Sequence, residues 1–427
     1  MSEEKSDQVV ENLAYQDPIP PSGIKSMPVQ QAERDVAIDV LRGVALLGIL
    51  AMNIRAFASI FASYANPMVY VDGTGIHRVI WLAGHILFDL KMMAIFSMLF
   101  GAGIVLMASR LKAKGQKSLG VHYRRMAWLL VIGLLHAHLI WNGDILVMYA
   151  LIGMIVYVAW RWYVPVQIGL GLFLLLLGVG VNFGAGLTLE HWPEADVENM
   201  RHMWAPTPEM IETELTTFRG SWLEQLPVRS SFALMFETGG IIFFGLWRVG
   251  GLMLLGMGLY RLGIFSAKRS NRFYLAMLIL GLAIGVPIIL VGYQRNVENG
   301  FAMETAMFLT SQFNYVGSLF VAMSWIGAIM LLIKSGTLRW LIGALTAVGQ
   351  MAFTNYLMQS IICTTIFYGH GLGLFGKYNY LEQFYFVIGV WIVQLIWSPL
   401  WLKHFRYGPF EWLWRSLTYW KRQPLKR

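Results

Sequence analysis

Ten apolar runs recur along the chain, at about 37–60, 79–107, 122–140, 144–161, 164–186, 232–260, 272–293, 304–333, 338–367 and 382–403. A helix that crosses about 30 Å of hydrocarbon needs roughly 20 mostly apolar residues. Inside lipid only helices and closed barrels satisfy every backbone hydrogen-bonding group. The pattern therefore predicts an all-α, polytopic integral membrane protein of about ten transmembrane helices. The longer runs must tilt or kink. Gly101, Gly103, Gly250, Gly251 and Gly349 are the expected bend or close-packing points. Composition agrees, because only 13% of the 427 residues are charged, against about a quarter in soluble domains.

Orientation follows from the basic residues. With the N-terminus inside, the inner loops and C-terminal tail hold twenty Lys and Arg and the outer loops six, a strong positive-inside bias that puts both termini in the cytoplasm. The net charge of +9 thus sets topology; the basic residues flank apolar runs and form no nucleic-acid patch. Residues 1–35 are polar, rich in Pro and Gly from Pro18 to Pro28 and without an apolar core of the signal-peptide type, so they read as a disordered cytoplasmic tail. The transmembrane domain then covers 36–403. It includes one long acidic outer loop at about 187–231, a length often used as a lid or binding surface. Residues 404–427, "FRYGPFEWLWRSLTYWKR" among them, read as an interfacial helix and basic tail on the cytoplasmic side. No fixed-period repeat is present, which weighs against an inverted-repeat transporter. The single cysteine, Cys363, allows neither a disulfide framework nor a cysteine-based metal site.

Ionisable groups inside lipid are costly and are functional suspects by default. In "DVLRGVALLGILAMN", Asp39 and Arg42 are three residues apart and share a helix face. Asn53 lies eleven residues past Arg42, which returns it to the same stripe about 16 Å deeper. That stripe faces a bundle or a cavity, as a structural ion pair with an interhelical amide or as a polar wall running in from the cytosol. Lys91 lies about 18 Å from the outer end of its run, too deep to snorkel easily from that side, and needs an acidic partner. In "GLLHAHLIWNGDIL" an Asn142-Gly143 turn brings Asp144 back toward His136. Such a His–carboxylate pair sets the imidazole tautomer for general-base work; the simpler reading is a helix cap and an interhelical bond. Arg248 is a candidate anion contact, or is paired with Glu237 or a carbonyl. Asn355 and Gln359, at i and i+4, are either an interhelical clamp or substrate contacts. No metal site is expected: His136 and His138, at i and i+2, diverge on a helix, and no metal or nucleotide signature is present.

Several stretches carry a resemblance. "DVLRGVALLGILAMNI", "FSMLFGAGIVL", "GLLHAHLIWNGDILVMYALIGM", "GQMAFTNYLMQSIICTTIFY" and "GPFEWLWR" resemble the YeiB-like bacterial membrane proteins, a family defined by a domain of unknown function, over nearly the whole chain after residue 33. At a greater distance the first run is similar to that of transmembrane acyltransferases, including the heparan N-acetyltransferase group. Sugar-decorating acyltransferases carry Arg–x10–His after an Asp there. Here the spacing is kept from Arg42, but the last position is Asn53. In the heparan group a histidine in the following luminal segment is implicated, and His77 stands in the corresponding outer loop.

The resemblance implies a bacterial inner-membrane enzyme that moves an acyl group from cytosolic acyl-CoA, acetyl-CoA for example, to an extracytoplasmic glycan, lipid or small molecule, as a plausible homodimer among membrane lipids. Asp39, Arg42, Lys91 and Arg248, with Arg124 or Arg125, would meet the CoA phosphates and arm. His136, paired with Asp144, or His77, or neither histidine, would supply the base, and Asn53 would hydrogen-bond the oxyanion. Asn355 and Gln359 would contact substrate. A transporter for a small anionic or lipid-linked metabolite would use the same buried cations.

Overall fold

The computed structural model describes residues 35–70 and 74–427, so the reading of the N-terminal tail lies, except for Asp35, outside the described residues. The regular elements there are helical, apart from one isolated bridge between Phe405 and Lys426. The first helix, α1 (Val36–Ala58), starts where the Asp35 carboxylate accepts from the Ala37 amide at 3.0 Å, the usual N-cap arrangement. Helices α2 (Gly75–Leu87) and α3 (Lys91–Ala113) form one long passage broken at Leu90, whose φ is +66°. Helices α4 (Ser118–Leu139) and α5 (Leu146–Val156, continued by a tight turn to Arg161) are an antiparallel hairpin. Next comes α6 (Val164–Thr188).

The stretch read as an outer loop is mostly helical. It folds as α7 (Glu194–Trp204), α8 (Pro208–Arg219) and α9 (Trp222–Met235). Local sequence explains it: Thr207 caps α8 ahead of Pro208, and Ser221 and Glu224 form a reciprocal capping box on α9. A π-helical stretch, Phe236–Val249, leads into α10 (Gly250–Arg261). Then follow α11 (Asn271–Glu298), α12 (Ser311–Ser335), α13 (Arg339–Gln350), α14 (Ala352–Phe367), α15 (Tyr380–His404) and α16 (Pro409–Tyr419).

Among the described residues seven helical passages are long and apolar enough to cross a membrane, or eight if α13 and α14, bent by 83° at Met351, count as one. Two of the ten expected runs, 122–140 and 144–161, fall short. The first carries His122, Arg124, Arg125, His136 and His138, which lower its hydropathy; the second has only eleven α-helical residues. Two of these residues matter below, because Arg125 lines the cavity and His136 is buried beneath it.

Two glycine crossings set the core. A Cβ on Gly101 would lie 2.0 Å from the Met253 carbonyl oxygen, and one on Gly256 would lie 1.9 Å from that of Met98, so α3 and α10 touch backbone to backbone. On the other side α1 meets α13 in the same way, with Gly349 against the Asp39 carbonyl. These contacts fix the helices whose inner faces line the site. The cap formed by α7–α9 is tied down from several elements: Glu214 accepts from the Phe61 amide at 2.8 Å, and Arg219 donates to the Phe375 carbonyl. Trp222 and Arg229 both donate to the Leu139 carbonyl at the end of α4.

Candidate functional site

A cavity of about 330 Å³ opens at the end of the bundle where α1 begins and α3 ends, within the size range of small-molecule sites. Its mouth is cationic: Arg42, Arg110, Lys114, Arg125 and Arg415 line it, with Asp35, Asp39 and Glu411 among them. Its shaft is apolar, between Leu46 and Ile49 of α1 and Leu99 and Phe100 of α3. Its floor is Ile145, Leu146, Tyr149 and Tyr356. Asp39, Arg42, Leu46 and Ile49 recur at helical spacing, so one stripe of α1 forms this wall. Arg42 bonds Asp39 at 3.1 Å and stands partly exposed at the mouth.

Beneath the floor the α4–α5 turn acts as the sequence suggests. The Asp144 carboxylate accepts from the Val147 amide at 2.8 Å, capping α5, and faces His136 Nδ1 at 2.8 Å. The other ring nitrogen, Nε2, lies 2.9 Å from Ser360 Oγ on α14. All three groups are sealed: His136 and Ser360 are 1% exposed and the Asp144 side chain 2%. The Tyr356 ring, one turn before Ser360, lies 5.3 Å from the imidazole and joins this relay to the cavity floor. On its other side Asp144 borders a small cleft of about 10 Å³ with Asn142 and Glu237, under the α7–α9 cap, about the space of one water molecule.

The tail forms one side of the mouth. Tyr407, Glu411, Trp414 and Arg415 line the cavity. The Trp414 indole donates to the Arg125 carbonyl at 2.8 Å, and Arg124 donates to that of Thr418. Glu411 accepts from the amides of Phe353 and Thr354 and from the Thr354 hydroxyl, at 2.7, 3.0 and 2.5 Å. It thereby caps α14 from a distant element, just past the bend at Met351.

The remaining predicted residues stand apart from this cavity. Asn53 is one turn deeper than Ile49 on the same stripe, and its side chain takes no hydrogen-bond partner among the described residues. His77 sits in the first turn of α2, half-buried, with Nδ1 unpartnered. Neither is hydrogen-bonded to His136. Lys91 does not pair with an acid. Its ammonium donates to the Asn314 side-chain oxygen at 2.5 Å and the His85 carbonyl at 2.6 Å. Asp89 is taken instead by Arg55 at 2.5 Å and by His85 at 3.1 Å. Arg248 donates to the Tyr315 carbonyl and Ser318 hydroxyl, at 2.9 and 2.5 Å; Glu237 faces His138. Asn355 donates to Val348 and Ser398 and accepts from Trp397, while Gln359 donates to Gln394 and the Leu46 carbonyl. Both amides are engaged between helices.

Sequence reasoning passed over Ser360, Tyr356, Glu411 and Arg55. Arg55 had a signal, an arginine within an apolar run. Ser360 had none, because its partner is 224 residues away. Among the described residues no group of three or more His, Cys, Asp or Glu is placed to hold a metal ion.

Fold and site together define an all-helical, multi-span membrane protein with a cationic-mouthed cavity above a buried His–carboxylate relay. Residues 259–421 match the family model described as "Protein of unknown function (DUF418)". The chain is 34% identical over 392 residues to the uncharacterized protein YeiB of Escherichia coli (strain K12), covering 90% of this chain and 96% of that one. It is 30% identical over 425 residues to the uncharacterized protein YxaH of Bacillus subtilis (strain 168), covering 94% and 98%. The chain belongs to this YeiB-like DUF418 family.

Proposed function

We propose that the protein is an acyl-CoA-dependent acyltransferase of the bacterial inner membrane, with about ten passes and both termini cytoplasmic, acting on an extracytoplasmic acceptor. The observation that carries this reading is the His136–Asp144 pair sealed beneath the floor of a cavity whose mouth is ringed by cations. The similarity of the Asp39–Arg42–Asn53 stripe to acyltransferases supports it, since Asp39 and Arg42 line the cavity. Arg42, Arg110, Lys114, Arg125 and Arg415 meet the phosphates of a CoA thioester. The pantetheine arm follows the apolar shaft, and the thioester reaches the floor. Asp144 holds His136 in the tautomer whose Nε2 accepts a proton, and the relay removes the proton of the acyl acceptor. The acceptor approaches from the side of α7–α9, past Asn142, Asp144 and Glu237, and those helices must move to admit it, because the cleft there has room for about one water molecule. Asn53, at the deep end of the stripe, stands where the resemblance places an oxyanion contact.

Native mass spectrometry of the purified protein with acetyl-CoA tests the reading. A one-to-one complex is expected, retained in His136→Gln, whose transfer rate falls by about 10²–10⁴-fold. Absence of a complex at millimolar donor would overturn it.

A second reading has its own observation. Arg55, Asp89 and His85 form a buried ionic network with Lys91 beside it, away from the cavity, and such networks also serve ion-coupled transport. Accumulation of a labelled small anion in proteoliposomes without an acyl donor would favour it.

A further inference from the structure

We infer that Ser360 is the nucleophile of this site and that transfer runs through an acyl-serine intermediate; the inference rests on the acyltransferase reading above. Ser360 Oγ, His136 and Asp144 are joined in the order of a Ser–His–carboxylate relay, at 2.9 and 2.8 Å. With Nδ1–H donating to Asp144, Nε2 is left to accept the hydroxyl proton, which is the atomic arrangement that activates serine on several unrelated folds. A serine inside a helix ordinarily donates back to a carbonyl three or four residues earlier. Thr364 and Thr365 on the same helix do so, both to Ile361. Ser360 instead faces an imidazole of another helix.

Its position suits attack on a thioester entering from the cavity. Phe353 and Tyr356 line the cavity, and Ser360 follows them on the same face, one turn below Tyr356. The Tyr356 hydroxyl accepts from the Ile145 amide at 3.4 Å, and its own proton has no acceptor among the described residues. Tyr356 thus stands between cavity and relay, with a hydroxyl proton free to be donated into the cavity floor.

In the first half-reaction Ser360 Oγ attacks the thioester carbonyl and His136 takes the hydroxyl proton. The carbon–sulfur bond breaks, and the departing thiolate takes that proton from His136 to leave as free CoA. In the second, an acceptor O–H or N–H attacks the serine ester and gives its proton to His136. The ester bond breaks and Ser360 Oγ recovers the proton. A covalent intermediate lets CoA leave toward the cationic mouth before the acceptor arrives from the side of α7–α9.

The test is acetyl-CoA mixed with the full-length protein, without acceptor. The result expected is a burst of free CoA thiol equal to the protein concentration and a mass increase of one acetyl group, mapped to Ser360. Ser360→Ala abolishes burst and adduct while still binding acetyl-CoA. Ser360→Cys restores a burst and gives a thioester that neutral hydroxylamine cleaves. Binding with acceptor-dependent transfer but no burst, or an adduct that persists in Ser360→Ala, would overturn the intermediate and leave the acyltransferase reading standing. Failure of the wild-type protein to bind acetyl-CoA would overturn both.

Discussion

At the scale of single residues, burial decides what each polar group does. His136 and Asp144 were legible in the sequence because a tight turn separates them, and a short loop fixes its ends. Ser360 was not, since nothing local distinguishes a serine on an apolar helix until its distant partner is placed. Asn53 was legible only as a point on a stripe; helical periodicity gives direction and depth but not a partner. Glu214, on the α7–α9 cap, shows burial acting on a titratable group. Burial pushes its carboxyl from an ordinary value of 4.5 up to about 7, with the Phe61 amide opposing the shift; Tyr368 is the ionisable neighbour. A carboxyl whose folded-state pKa is raised favours the folded protein while protonated. That contribution is complete below pH 4.5 and is lost as the pH rises through about 7. Thermal melts of the solubilised protein should therefore show a loss of stability across this interval. Glu214→Gln should flatten it and be the more stable of the two at pH 8. Equal slopes for the two proteins would refute the assignment.

At the scale of elements, apolar run length located the passages well but misjudged those shaped by polar contacts. Run 338–367 reads as one span from hydropathy, yet the chain turns by 83° at Met351. The group that stabilises the restarted helix, Glu411, comes from the C-terminal tail. The tail read as an interfacial helix because its tryptophans and basic residues fit one; the structure uses them to wall the cavity mouth. Glu411 accepts three hydrogen bonds at the start of α14. Glu411→Ala leaves those donors without an acceptor, and the cost should be about 1–3 kcal/mol. Glu411→Gln keeps one carbonyl oxygen and should lose less. Unfolding midpoints of the three proteins order the effect, and an unchanged midpoint in Glu411→Ala would show that water replaces the cap. The stretch at about 187–231, expected as a long loop between passages, folds mostly as helices whose capping box and Thr-Pro start were present in the sequence.

At the scale of the whole molecule, ten passages were expected and seven or eight stand on length and composition alone. The difference is the α4–α5 hairpin, whose polar residues serve the site and so weaken the hydropathy that would identify a span. Its path still alternates with its neighbours, since α4 runs from the cationic end of the bundle to the cap and α5 returns. If every passage crosses, the N-terminus, the cavity mouth and α16 share the cytoplasmic side, and α7–α9 lie outside. The chain permits a clean test, because its single cysteine, Cys363, is buried at 1% exposure. A membrane-impermeant maleimide applied to intact cells should leave the wild-type protein unlabelled. Glu212→Cys, on exposed α8, should label in intact cells. Lys112→Cys, at the exposed end of α3, should label only after the cells are opened. A reporter fused after Arg427 should be active as a cytoplasmic fusion. Asn142→Cys, in the α4–α5 turn, decides the hairpin: it should label in intact cells, and if it labels only after the cells are opened, the hairpin does not cross and His136 loses its access to an extracytoplasmic acceptor. The topology experiment thus bears directly on the proposed chemistry, because the proposed cytosolic donor and extracytoplasmic acceptor can meet at His136 only if the helix that carries it spans the bilayer.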